Sequence, residues 1–337
     1  MGRDSRATRK VRRAGHGRRT SVLRVREPAD IAVALPYLLG FEPHDSLVLA
    51  GLQGTSSRVG PTMRTDLVPP SESAGLVDYL AGTVRQLGVS QVLVAAFTDD
   101  AMRAGSVVHP LLEILSAKGV GVREAIRADG VRWWSYLCVG DCCRADGTPY
   151  DARTSRVAAE AVAAGLAKET SRAALAGQFA PEPERQSRVA AAIGAGVTTC
   201  AAEIDALLAV GLRDPHALDD AAVGGLLVHV QESGQRDRIW MSIDRGCAQR
   251  QLALWAAITR AAPEPLLPPS GSLAAFAAWL AGYGAVASAA VERVLAVDPT
   301  YSMARLVDEA LVRVLDPRAW TAPHRGELGP FDRGAGG

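Results

Sequence analysis

Residues 91–97, QVLVAAF, form a short unbroken apolar run, and how that run is read decides the fold. Seven residues with β-branched members are too few for a buried helix, and they match a strand covered on both faces. The flanks have a different period. Over residues 72–88, Leu76, Tyr79, Leu80, Val84 and Leu87 recur at helical spacing and Gly88 closes the segment, which predicts an amphipathic helix. A second helix is expected over 107–118, ending at Gly119. Further strands are expected at SLVLAGL (46–52), RVGPTMRTDL (58–67), VGVREAI (120–126) and VRWWSYLCV (131–139). Pro61 marks the second of these as an edge strand or a bulge. Asp129-Gly130 is a two-residue turn signal that makes the last pair a hairpin. Ahead of them all, Pro28-Ala-Asp30 reads as a helix start with Asp30 as N-cap, and Gly40 as the stop.

Past Tyr150 the β-branched runs vanish and alanine-rich helical periodicity replaces them. Helices are expected over 152–176, 182–211, 217–232, 236–261, 272–296 (whole, or broken at Gly282–Gly284) and 301–315, punctuated by Pro181, Pro183, Pro215 and PEPLLPP (263–269). Residues 268–301 loosely resemble one tetratricopeptide unit, but no second copy follows, so they read as an ordinary helical hairpin. The fold class is therefore an α/β domain with a mixed sheet, followed by an all-helical domain. Its expected divisions are a disordered basic tail (1–22), the mixed α/β domain (23–150), the α-helical domain (151–320) and a flexible C-terminus (321–337).

Composition narrows the function classes. The chain has 337 residues, 48% of them apolar and only 5% aromatic, so small side chains must fill much of the core. Net charge is +1, yet residues 1–20 carry eight Lys/Arg against Asp4, a local +7 that leaves −6 for the remainder. Such a tail is expected to be disordered and reads first as a solvated extension, with weak, sequence-blind contact with nucleic-acid phosphates as the alternative. Five cysteines, an odd number, do not suit a secreted disulfide framework. The apolar stretch at 31–41 is too short to span a bilayer, and no cleavage site follows it. These features predict a soluble cytoplasmic protein without membrane contact. No G-x-G-x-x-G or G-x-x-x-x-G-K-[ST] loop follows a strand, and no cofactor is expected.

Four segments taken together resemble one family: PADIAVALPYLLGFEPHDSLVLAGL, MRTDL, WWSYLCVGDCC…GTPY, and FAAWLAGYGAVASAAVERVLAVDPTYSMARLVDEAL. They look like the family known as domain of unknown function 4192, over most of residues 23–320. The resemblance implies a bacterial protein of unassigned activity. It brings no substrate, cofactor or residue role. In that family a histidine often follows the phenylalanine at the end of the first helix, whereas here Glu42 follows Phe41 and the imidazole is His44.

Two constellations carry candidate chemistry. The first is Asp45 and Ser46 before the first strand, with Arg64 and Asp66 at the end of the second. If those strands are neighbours, the four converge at a sheet edge, where two carboxylates and an arginine suit cation or phosphate binding or acid–base work. The plain alternative is turn residues and an exposed strand face. The second is Cys138, Cys142 and Cys143. Zinc would need a fourth ligand, with His109 the first choice and His44 the other, and the vicinal thiols diverge. The alternative is a buried Cys138 on a strand and two loop thiols that hold no metal. The leading functional expectation is a non-catalytic protein that binds a protein partner through its helical domain. The other is an enzyme of unassigned class with its site near Asp45, Arg64 and Asp66.

Overall fold

A computed structural model describes residues 25–54, 58–138, 140, 144–164, 166–197 and 200–320. The segments 1–22 and 321–337, and with them the expected disordered tail and flexible C-terminus, lie outside the described residues. The first half is built on one mixed sheet of β1 (Ser46–Gln53), β2 (Arg58–Asp66), β3 (Gln91–Phe97), β4 (Gly121–Ala128), β5 (Arg132–Ser135) and β6 (Thr148–Pro149). Their spatial order is β2-β1-β3-β4-β5-β6, and only the β3–β4 pair is parallel. QVLVAAF is the β3 strand, and its lack of alternation has the expected cause. Leu93, Ala95 and Phe97 pack under α1 (Pro28–Leu39) on one face. Val92, Val94 and Ala96 meet α2 (Ser73–Gln86) and α3 (Ala101–Ala117) on the other.

Pro61 sits where both sequence signals placed it. β2 is the edge strand, and its register slips so that Gly60 and Pro61 together oppose Gly51 of β1. The β4–β5 hairpin also forms, with the turn one residue later than Asp129-Gly130 suggests. Gly130 takes φ 95 as the first central residue, and the Asp129 carboxylate accepts from the amides of Val131 (2.8 Å) and Arg132 (2.6 Å).

Other expectations need correction. Asp30 is not the N-cap of α1; Glu27 is, and Asp30 closes a capping box from the third helical position by accepting from the Glu27 amide (3.4 Å), and it also accepts from the amide of Arg26 (2.7 Å). Helix α3 begins at Ala101, six residues early, because Asp100 caps it by accepting from the Arg103 amide (2.9 Å). The strand expected over 131–139 stops at Ser135. There the Ser135 hydroxyl accepts from the amides of Leu137 and Cys138, both at 3.1 Å, and turns the chain off the ladder.

The second half is helical: α4 (Arg156–Ala163), α5 (Arg172–Ala176), α6 (Pro183–Ala195), α7 (Ala201–Gly211), α8 (Asp220–His229), α9 (Ser233–Met241), α10 (Ala248–Ala261), α11 (Leu267–Leu280), α12 (Gly284–Val297) and α13 (Ser302–Val312). The single helix expected over 182–211 is two, broken after Gly196 at φ 98. PEPLLPP does not end before a helix but starts one. Pro268 and Pro269 lie in the first turn of α11, where an N–H would have no intrahelical partner. All of α11 is buried, which its charge-free sequence LPPSGSLAAFAAWL permits. Gly271 lets α12 approach, since a Cβ there would come within 2.4 Å of Val294 Cγ2.

The halves are stitched at the end of α1. Gly40 turns the chain at φ 82, and Phe41 forms a parallel bridge with Glu169: the Glu169 amide donates to Gly40 O (2.8 Å) and the Glu42 amide to Glu169 O (2.9 Å). The Phe41 ring is buried in the helical core, and Lys168 pairs with Glu42. Helix α4 in turn packs Val157 and Ala158 on Val33 and Ala34 of α1.

Within the helical half, Asp220 ties α8 to α6 through Arg188 Nε (2.6 Å) and Arg185 Nε (3.3 Å). The Arg188 guanidinium, then Arg185, holds this carboxyl below its ordinary value of 3.8. A depressed folded pKa stabilises above the unfolded value and loses that stabilisation as pH falls through the folded one. Asp220→Asn should therefore cost about 1 kcal/mol at neutral pH, the upper end for a partly solvated pair. In urea titrations that difference should shrink toward zero once the pH drops below the ordinary carboxylate value.

Candidate functional site

The β1–β2 register places Ser46 opposite Asp66 and Val48 opposite Arg64, so Ser46, Arg64 and Asp66 share the sheet face that α1 covers. Arg64 donates twice to Ser46 Oγ, from Nε (3.0 Å) and Nη2 (2.7 Å), and its Nη2 also meets Asp66 Oδ1 (2.5 Å). Ser46 is fully buried and donates its own proton to the carbonyl of His44 (2.5 Å). The hydroxyl proton thus goes to a carbonyl and the lone pairs face a guanidinium. That polarity is opposite to an activated nucleophile, which needs a base as proton acceptor. These three residues form a clasp that fastens the edge strand.

Asp45 does not join them. Its backbone is left-handed (φ 42), a conformation aspartate tolerates better than most residues, and this swings the carboxylate away from the clasp. There it accepts from Thr98 Oγ1 (2.6 Å) and pairs with Arg103 (3.4 Å). Arg103 also donates to the carbonyls of Leu67 and Val68, holding the end of β2 against α3. Sequence reading missed Thr98, Arg103 and Arg127. Arg127 is nearly buried, donates to the carbonyls of Thr98 and Asp99 (both 3.2 Å), and stacks on the Trp134 ring at 3.5 Å. A signal existed for these residues, because they follow or end the parallel strands β3 and β4, at the carboxyl ends where α/β sheets carry their ligands. Here every one of those cations is spent on carbonyls and carboxylates of the fold.

The thiol cluster is not assembled among the described residues. Cys142 and Cys143 lie outside them, and Cys138, expected on the strand and buried, stands half-exposed beyond its end. His109 of α3 lies edge-on to Tyr136 with ring centroids 5.2 Å apart, and burial pushes the Tyr136 phenol up. Among the described residues no group of three or more His, Cys, Asp or Glu is placed to hold a metal ion.

Two hollows remain. One, of about 620 Å³, lies between the starts of α1 and α4 and is lined by Asp30, Trp133, Tyr150 and Arg156. Asp30 and Arg156 pair across it (3.3 Å), and burial, aided by Glu42 and Asp129, pushes the Tyr150 phenol up to about 12. The other, of about 630 Å³, runs along β2. Its first wall is the strand itself, from Val59 to Thr65. Its second is helical: Trp279–Gly282 at the end of α11, the start of α12, Leu311 and Val312 at the end of α13, and Val314–Arg318 beyond it. Arg318 donates to Gln53 Oε1 (2.9 Å) and so fastens the helical wall to the end of β1.

Fold and site together define a mixed α/β sheet joined to a helical half, with a cleft along the sheet edge and no nucleophile–base pair at the polar cluster. The chain belongs to the family described as Domain of unknown function (DUF4192), whose model matches residues 28–318. No curated protein and no solved structure matches it. Among the described residues, no helix is long and apolar enough to cross a membrane.

Proposed function

We propose that this is a non-catalytic cytoplasmic protein that docks a protein partner in the cleft along β2, with the helical half supplying one wall. The observation that carries the reading is where the exposed apolar side chains gather. Of the twelve large hydrophobics exposed among the described residues, five line this one cleft: Leu38, Val59, Tyr79, Val312 and Leu315. Single exposed hydrophobics need no explanation, but a contiguous set around a concave surface marks an interaction site. The wiring of Ser46 supports the non-catalytic part, since its proton and lone pairs are both engaged. The reading requires no cofactor, zinc included. The basic residues of the tail would add salt-dependent phosphate contact at most.

A photo-crosslinking residue at Val312, in the cleft, compared with one at Val162, equally exposed but outside it, tests this in the native host. Irradiation should give an adduct of defined mass from position 312 alone. Adducts of the same pattern from both positions, or none from 312, would remove the cleft as the docking surface.

A further inference from the structure

We infer that the hollow between the starts of α1 and α4 is a binding site for a neutral, hydroxyl-rich ring of the sugar class. The site is separate from the cleft along β2, and the inference does not draw on that reading.

One carboxylate oxygen carries the argument. Asp30 lines the hollow and is only 6% exposed. Every bond it makes falls on the same oxygen: Oδ2 accepts from the amides of Arg26 (2.7 Å) and Glu27 (3.4 Å) and from Arg156 Nη2 (3.3 Å). Asp30 Oδ1 meets no donor among the described residues, and it is not one of the sealed polar atoms left without a partner, so it opens on the hollow. Buried polar atoms are nearly always paired, and a free acceptor in such a place calls for a donor that a ligand brings. Two hydroxyls stand with it. Thr148 lines the same hollow, and its side chain bonds to no described residue. Ser155 Oγ accepts from the Val157 amide (3.1 Å), while its own proton goes to no described acceptor. An oxygen that only accepts, beside two groups that donate or accept, matches a ligand that carries hydroxyls.

The rest of the lining is apolar and partly aromatic: Trp133 and Tyr150, with Val33 and Pro149. A sugar ring divides in the same way, with C–H groups on its faces and hydroxyls around its edge. Apolar and aromatic walls with a few fixed polar groups are the usual build of a small-molecule site, and about 620 Å³ falls within the range of about 300–1,000 Å³ for such sites.

Charge decides between a sugar and an ion. With ion pairs counted, Arg26, Arg153 and Arg156 stand against Glu27, Asp30, Asp151 and Glu160, one negative charge in excess. The N-terminal ends of α1 and α4 both lie at the hollow, and each supplies about half a positive charge, which offsets it. Tyr150, its phenol pushed up to about 12 chiefly by burial, adds no charge at neutral pH. An anion would meet the Asp30 carboxylate, and a cation would meet Arg156 beside it.

Saturation-transfer NMR on the full chain, with glucose, galactose, mannose, N-acetylglucosamine and ribose as probes, tests the site. At least one should receive saturation, concentrated on the protons of one ring face. Thr148→Val keeps the side chain's shape, removes a hydroxyl and should weaken that sugar about fivefold. Trp133→Leu should abolish the transfer, with circular dichroism checking its fold. Thr148 lies on the two-residue strand at the sheet's end, so its variant answers even where Trp133→Leu does not fold. Glucosamine and glucuronate, the charged analogues, should bind more weakly than the neutral sugar. Saturation of none of the neutral sugars, undiminished transfer in either folded variant, or preference for a charged analogue each overturns the inference. The Val312 adducts report on the cleft alone, so neither result bears on the other.

Discussion

Replacing Trp255 with alanine should lower the stability of the helical half by about 4 kcal/mol or more. Trp255 is fully buried on α10, where it faces the core shared with α8, α11 and α12. Truncating a buried tryptophan removes its transfer free energy and leaves a cavity, a combination worth about 3–5 kcal/mol. A polar loss adds to it. Trp255 Nε1 donates to Gln251 Oε1 (2.9 Å), and Gln251 is itself buried, so alanine would strand an amide oxygen at a further cost of about 1 kcal/mol. The core around it has little means to collapse. The adjoining helix α11 is rich in alanine and already packs close to α12 at Gly271, where a Cβ would come within 2.4 Å of Val294 Cγ2. Because whole domains are stable by only about 5–15 kcal/mol, the variant should unfold at markedly lower urea concentration, with loss of helical circular dichroism. Trp255→Phe keeps most of the ring and should fall between wild type and alanine. A penalty for alanine under about 1 kcal/mol would mean the helical core is not built around this ring.

That core also shows what a linear reading can and cannot reach. The change of composition after Tyr150 separates sheet from helices because each architecture needs its own residues: β-branched runs for strands covered twice, alanines for closely packed helices. QVLVAAF and SLVLAGL were legible for the same reason, since full burial erases alternation. Pro61 was legible because a missing N–H restricts it to few places in a sheet. The misses were choices between local and distant partners. Ser135 ends β5 by capturing two amides with its hydroxyl, a choice invisible in a run that otherwise favours a strand. The start of α3 was missed although Asp100 stood in place as its cap.

Of the four residues expected at the sheet edge, three meet and one leaves. The strand pairing that brings Ser46, Arg64 and Asp66 together follows from two adjacent segments and one connection. The departure of Asp45 depends on a left-handed backbone and on Thr98, 53 residues away. No local pattern encodes that contact. Nor does any encode the cleft, whose walls are β2 and the chain after α13, segments that lie near opposite ends of the described residues.

Ser46 is where the structural and catalytic readings of that edge part most sharply. Ser46→Ala should cost about 2 kcal/mol of stability, in the range for hydrogen bonds to a charged group. Alanine removes the acceptor of two N–H groups of Arg64 (3.0 and 2.7 Å) and the donor to His44 O, at a position with no solvent access. Arg64 cannot turn to water in compensation, because its side chain is only 16% exposed and its guanidinium lies by the Phe41 ring (5.8 Å). Asp66, 75% exposed, would hold the remaining N–H weakly. If the clasp is one unit, Ser46→Ala combined with Arg64→Met should cost less than the sum of the two single changes, since removing both partners leaves no orphaned donor. A catalytic serine behaves in the opposite way. Groups held for chemistry are often strained, so their removal leaves stability unchanged or raises it. Urea melts of the two single variants and the double variant separate the cases. A Ser46→Ala chain as stable as wild type, or a fully additive double variant, would take away the clasp and return Ser46, Arg64 and Asp66 to candidacy as a reactive site.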